Sequence, residues 1–244
     1  MHLFCIPYAG GNAWSYRALE RFVTPGITLE GLELPGRGRR GLEPLSACLE
    51  DLADDVFRQI AARGLTGSYG IYGHSMGALL AYLVTHRLRS AGLKLPEALF
   101  LSGSSAPQAL PIRERHLLPP AEFVTMLREL GGSPPQVLEN AELLEFFQPI
   151  LRADFKAVET WRPAGLAPLD VPFVVMSGDR DEVTNAEAHA WATETTAPCQ
   201  VLELSGDHFF ILQHWETIGS TIRRQLLGAT PPPPLELRRA GACQ

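Results

Sequence analysis

Three short apolar runs in this chain stop at the same dipeptide. Ala98–Leu101 leads into Ser102-Gly103, Phe173–Met176 into Ser177-Gly178, and Gln200–Leu204 into Ser205-Gly206. Brief apolar runs ended by turn residues are the signature of buried strands. Leu3–Ile6, ended by Pro7 and the pair Gly10-Gly11, Ile27–Leu34, stopped by Pro35-Gly36, and Tyr69–Tyr72 read the same way. Between them lie helical patterns. Leu49, Leu52, Ala53, Val56 and Ile60 fall on one helical face with Gly64 past its end, Ala78–Leu88 is rich in helix formers, and a further pattern carries Trp14, Leu19 and Phe22. Strands alternating with helices imply an α/β protein with a mostly parallel central sheet flanked by helices on both faces. Chemistry on such a sheet sits at the carboxyl ends of the strands.

One stretch breaks the alternation. Within residues 107–168 no strand pattern occurs, while Phe123, Met126, Leu127 and Leu130, and then Leu143, Phe146, Phe147, Ile150 and Leu151, recur at helical spacing. The chain therefore divides into a core of residues 1–106 and 169–228, a helical lid inserted at 107–168 over the strand ends, and a tail at 229–244. Four consecutive prolines follow Thr230, so that tail is expected to be extended and weakly ordered.

Charge and composition narrow the function classes. A net charge of −6 over 244 residues, with a pI near 5.7, leaves no basic footprint for nucleic acid. The 45% hydrophobic and 20% charged content excludes disordered, collagenous and coiled-coil chains. The N-terminus MHLFCIPYAGG has no basic region before its apolar residues, and no apolar run approaches the roughly 18 residues that would span a membrane. Cys5, Cys48, Cys199 and Cys243 are scattered without a C-x-x-C pair, so they read as ordinary buried or tail thiols rather than zinc ligands. A cytoplasmic protein without a metal, and with neither nucleic acid nor membrane as partner, is expected.

The motif that carries chemistry is Gly73-His74-Ser75-Met76-Gly77. G-x-S-x-G is weak by itself, but here a strand precedes it and a helix follows. That is the context of a nucleophile elbow, in which Ser75 sits in a strained turn and the glycines admit neighbouring backbone. A serine at its ordinary pKa needs a base, and the base needs an orienting acid. In the chain order of an α/β-hydrolase fold the acid follows a later strand and the histidine the last one. Of seven histidines, His208 follows the last strand, whereas His86 lies mid-helix, His189 in a helical stretch, His214 inside the last helix, and His2 and His116 away from strand ends. Asp181 lies three residues past Gly178, with reach around its loop. Asp179 reads as a cap of that turn and Asp207 as a turn former. Two N–H donors are needed for an oxyanion. Met76, after the nucleophile, is one, and Ala9 in the loop Pro7-Tyr8-Ala9-Gly10-Gly11 is the candidate for the other.

Five motifs together resemble one family. Pro7-Tyr8-Ala9-Gly10-Gly11, Pro35-Gly36-Arg37-Gly38-Arg39-Arg40, Gly73–Gly77, Pro149–Phe155 and Gly206-Asp207-His208-Phe209-Phe210 are similar to those of the type II thioesterases that accompany polyketide synthases and nonribosomal peptide synthetases, from Leu3 to about Leu227. The resemblance implies an α/β-hydrolase fold and an editing enzyme. It would hydrolyse aberrant or misprimed acyl, aminoacyl or peptidyl thioesters from the phosphopantetheine arm of acyl or peptidyl carrier proteins, through an acyl-serine and without a cofactor. Ser75, Asp181 and His208 would be catalytic, with Ala9 and Met76 forming the oxyanion hole. Tyr8 stands where the family commonly has His, and the first strand is expected almost at the start of the given sequence, where the resemblance would place an N-terminal extension.

In the insertion, Phe123, Met126, Leu130, Phe146 and Phe147 are candidates to line a substrate channel or lid, against the alternative that each packs the insertion onto the core. Arg113, Arg115 and the Arg37–Arg40 turn are candidate contacts for an acidic carrier protein. A small-molecule carboxylesterase or an acyltransferase would use the same triad.

Overall fold

The computed structural model describes residues 1–132 and 135–228. Six strands form one sheet in the order β2-β1-β3-β4-β5-β6: β1 His2–Ile6, β2 Thr28–Gly31, β3 Tyr69–His74, β4 Leu99–Ser102, β5 Phe173–Gly178 and β6 Cys199–Leu204. Every neighbouring pair is parallel. The helices are α1 Arg17–Val23, α2 Leu49–Ala61, α3 Met76–Ser90, α4 Pro120–Leu130, α5 Pro135–Leu138, α6 Ala141–Thr160, α7 Asn185–His189 and α8 Trp215–Leu227.

Side chains alternate across the strands, so each strand feeds two cores. Phe4, Ile6, Leu99 and Leu101 pack with residues of α2 and α3 on one face. Leu3, Cys5 and Phe100 pack with Tyr16, Leu19 and Ile218 on the other. Because both faces are covered, the strands read as unbroken apolar runs rather than an apolar-polar alternation.

Helices α4 to α6 lie between β4 and β5 in the chain and share a smaller cluster of Phe123, Leu127, Leu138 and Leu151. Asn140 starts α6, its side chain accepting from the N–H groups of Glu142 and Leu143 at 3.0 and 3.1 Å. The far end of α6 is tied down twice. Trp161 Nε1 donates to Glu50 Oε1 at 2.8 Å, and the Glu159 carboxylate accepts from the N–H groups of Arg115 and His116, each at 3.0 Å.

Four sequence expectations change. Trp14 lies outside α1 and is exposed, because Asn12 and Ser15 close a turn just before the helix: Asn12 Oδ1 accepts from Trp14 N and Ser15 Oγ from Asn12 N. The edge strand β2 ends at Gly31, and Leu32 and Leu34 instead turn into the core. His214 precedes α8, donating from Nε2 to the Ser205 carbonyl at 2.7 Å. Cys48 is exposed, at the residue before α2. The tail expectation and Cys243 lie outside the described residues.

Candidate active site

The elbow follows from two close approaches. A Cβ on Gly73 would sit 2.0 Å from the Gly77 carbonyl oxygen, and one on Gly77 would sit 2.3 Å from that of Ile6. Only glycines let α3 start this tightly against β1 and β3. Between them Ser75 has φ of 54°, an uncommon value outside glycine, held by its N–H donating to the Ser102 carbonyl at 2.7 Å. Met76 is the first residue of α3, so its N–H points out of the positive end of the helix.

The repeated Ser-Gly endings bring two more loops to the same edge. A Cβ on Gly178 would lie 2.5 Å from the Gly206 carbonyl oxygen, so the turns after β5 and β6 touch. Asp179 Oδ1 accepts from Gly206 N at 2.7 Å, and Asp207 Oδ1 accepts from Phe209 N at 3.0 Å. Both carboxylates are therefore occupied as turn formers. Asp181 is the one that reaches the imidazole: its Oδ1 lies 2.9 Å from His208 Nδ1, with the acid side chain fully buried and the histidine 9% exposed. Its Oδ1 also accepts from Val183 N at 3.3 Å.

Beneath this pair lies His74. Its Nδ1 is 3.0 Å from Ser102 Oγ, and its ring centroid is 5.0 Å from that of His208. Burial first, and then repulsion from His208, push its pKa well below the ordinary histidine value. It is a neutral, space-filling member of the site.

In the loop after β1, Gly10 N donates to Asp154 Oδ2 and Gly11 N to the Tyr8 carbonyl. The Ala9 N–H has no acceptor among the described residues. Tyr8 packs edge-on against Phe209 and His74 at 5.1 and 5.8 Å between centroids. The cavity in front of Ser75 measures about 120 Å³ and is bordered by Ala9, Ser75, Met76 and His208. Leu79, Leu110, Leu127, Phe155, Val158 and Trp161 give it apolar walls.

The sequence-derived candidates in the insertion separate. Leu130 borders this cavity. Phe123 instead fills the insertion's own core, buried under the Arg152 guanidinium at 4.2 Å and against Phe155. Met126 lines a neighbouring recess with Arg115, Arg180 and Asp207. Phe147 packs on the insertion's core, and Phe146 is 65% exposed. From α4 and α6 the cavity is lined by Leu127, Leu130, Leu151, Phe155 and Val158. Helical periodicity finds such apolar positions but not which of two apolar faces meets the core.

Of the basic docking candidates, Arg39 is exposed and the other four are held in ion pairs. Arg37 is buried in an ion pair with Asp154, and Arg40 is held by Glu43 and Asp55. Arg113 and Arg115 both bind Glu182 at the cavity edge, at 2.8 and 2.5 Å. Burial works to raise the Glu182 pKa, but the Arg115 hydrogen bonds and the two guanidinium charges outweigh it and hold it at about 2.

A family model described as a thioesterase domain matches residues 1–226. The chain belongs to the thioesterase family. This thioesterase is 34% identical to the gramicidin S biosynthesis protein GrsT of Aneurinibacillus migulanus, over 87% of this chain and 84% of that one. Among solved structures it is similar to the type II thioesterase BorB from the borrelidin biosynthetic cluster, with a TM-score of 0.85, 35% identity and 92% of each chain covered. It is also similar to ClbQ from the colibactin NRPS/PKS pathway, with a TM-score of 0.87, 32% identity, and 93% of this chain and 97% of that chain covered. The parallel sheet of this thioesterase and the helices around it match the α/β-hydrolase-type fold of these neighbours. No helix among the described residues is long and apolar enough to cross a membrane.

Proposed function

We propose that this thioesterase is a type II editing enzyme that hydrolyses aberrant or misprimed acyl, aminoacyl or peptidyl groups from the phosphopantetheine thiol of carrier proteins in polyketide or nonribosomal peptide synthesis. The observation that carries the chemistry is the buried Asp181 held on His208 Nδ1, with Ser75 strained on its elbow at the same cavity. The 2.9 Å contact keeps the proton on Nδ1, so Nε2 faces the cavity as the base.

His208 takes the Ser75 hydroxyl proton as Oγ attacks the thioester carbonyl. The new oxyanion accepts from the Ala9 and Met76 N–H groups, each donor worth roughly 10²–10³ in rate. Collapse of the tetrahedral intermediate breaks the carbon–sulfur bond, and the thiolate leaves with the proton from His208. Water, deprotonated by the same imidazole, then attacks the acyl-serine, and the acid departs with Ser75 regenerated. The balance closes with water alone, and the proposed route uses no cofactor or metal.

The helical insertion serves as the lid of the acyl site, since its α4 and α6 residues make apolar walls. That cavity, of about 120 Å³, is close to the roughly 150 Å³ that holds a benzene ring, which suits a short acyl unit. The likeness to biosynthetic-cluster thioesterases supports a carrier-protein partner. Steady-state hydrolysis of a short acyl group from a carrier protein, compared with the same acyl group on a simple oxygen ester, tests the reading. A preference for the carrier-bound thioester is expected, and indifference to the carrier would refute the editing role.

A further inference from the structure

Asp154, on the lid helix α6, is fully buried, yet it lies in no part of the triad. Its Oδ2 accepts from Gly10 N at 2.7 Å and from Arg37 NH1 at 2.5 Å, while Oδ1 accepts from Arg37 NH2 at 2.7 Å. Arg37 itself is 4% exposed. One turn earlier on the same helix, Leu151 presses on the same glycine. A Cβ on Gly10, which has φ of +76°, would meet the Leu151 side chain at 2.5 Å. The helix thus grips Gly10 by its N–H and by its Cα face, one residue beyond the N–H proposed to bind the oxyanion.

We infer that Asp154 is a positioning residue that sets the oxyanion hole from the lid, by holding the Gly10 amide so that the adjacent Ala9 N–H faces Ser75. A peptide plane is rigid, so fixing the Gly10 N–H fixes the Ala9 carbonyl and limits rotation of the Ala9 amide before it. Arg37 supplies the bidentate fork that keeps the carboxylate in one orientation. An oxyanion donor displaced by about 1 Å costs up to roughly 100-fold in rate, which is the scale on which such a support acts. This inference rests on the assignment of Ala9 above, and it adds that the lid helix is needed for the chemical step as well as for enclosing the acyl group.

The test separates geometry from stability through two variants of the full chain. Asp154→Asn keeps an acceptor for Gly10 N but leaves Arg37 buried without a counter-charge, so it is the less stable of the two. The double variant Arg37→Met/Asp154→Leu replaces the ion pair with apolar groups and recovers stability, but it leaves Gly10 N without an acceptor. The expected result is inverted order: the double variant has the higher Tm and the lower kcat, down about 10- to 100-fold with KM within about twofold. Affinity for an alkylboronic acid, which forms a tetrahedral adduct on Ser75, falls in parallel. A merely structural role would make kcat follow Tm, and that outcome overturns the inference. Ala9→Pro, which removes the Ala9 N–H, is measured alongside. Loss of boronate affinity in Ala9→Pro alone defeats the role of Asp154 and leaves the oxyanion assignment standing. No loss in any of the three variants defeats both.

Discussion

The Oδ1 of Asp181 lies 2.9 Å from Nδ1 of His208, although the two residues are 27 apart in sequence and arrive from the ends of different strands. The contact defines the tautomer of the imidazole, and an amide in place of the carboxylate presents an N–H to the same nitrogen. Asp181→Asn should therefore fold with a Tm near that of the wild type and lose on the order of 10³–10⁴ in kcat. Single-turnover acylation measured on a thioester substrate checks this. A loss below tenfold would show that another group orients His208.

Gly77 should tolerate no side chain. A Cβ there meets the Ile6 and Pro7 carbonyl oxygens at 2.3 and 3.0 Å, both backbone atoms that cannot rotate away. Gly77→Ala must move α3 off β1, which shifts Ser75 relative to the loop carrying Ala9. The expected outcome is a destabilisation of about 1–3 kcal/mol with loss of most activity. Gly67→Ala, where a Cβ meets nothing within 4 Å, is the matched control and should leave both Tm and turnover unchanged.

Acid stability should depend on His86. Burial, and then the charges of Arg89 and Arg87, depress its pKa to about 4, against 6.5 for a free histidine. Arg89 donates to its Nδ1 at 3.0 Å, a bond open only to the neutral ring. Between those two pH values the unfolded chain binds a proton that the native protein does not, so stability is full above about pH 6.5 and is lost as pH falls towards 4. Each such group contributes a slope of about 1.4 kcal/mol per pH unit in that window. Urea unfolding of His86→Gln at several pH values should show a slope shallower by about that amount. An unchanged slope would mean that His86 is protonated in the native state.

Chain-length preference should respond to Val158, which lines the cavity from α6. Val158→Phe narrows the cavity. We expect kcat/KM for a hexanoyl thioester to fall about tenfold or more while an acetyl thioester changes little, on the scale of a few methylenes excluded from an apolar pocket. Equal effects on both acyl groups would place the acyl chain elsewhere.

The sheet and the candidate site were legible for related reasons. Each core strand is a short apolar run closed by turn residues, and the loops at its carboxyl end must be small because they touch, as Gly178 does against Gly206. The same punctuation that marks the strands therefore marks Ser75, Asp181 and His208. The insertion was legible only as helix. Phe123, Met126, Leu127 and Leu130 share one stripe of α4, yet Leu127 and Leu130 border the cavity, Met126 a neighbouring recess and Phe123 the insertion's own core, a division that the elements packed around the helix decide. Arg37 and Asp154, 117 residues apart, each look like a single charge in a polar neighbourhood. Their pairing exists only once β1, the turn after β2 and α6 are brought together.

On the proposed reading, Ser75 cleaves a thioester presented by a carrier protein. The most direct measurement is hydrolysis of a short acyl group from a phosphopantetheinylated carrier protein by the wild type and by Ser75→Ala, with a p-nitrophenyl ester of the same acid as comparator. A higher kcat/KM is expected for the carrier-bound thioester, with no turnover in Ser75→Ala, whose binding to the carrier protein is retained. Near-normal hydrolysis by Ser75→Ala, or a preference for the simple ester, would contradict that reading.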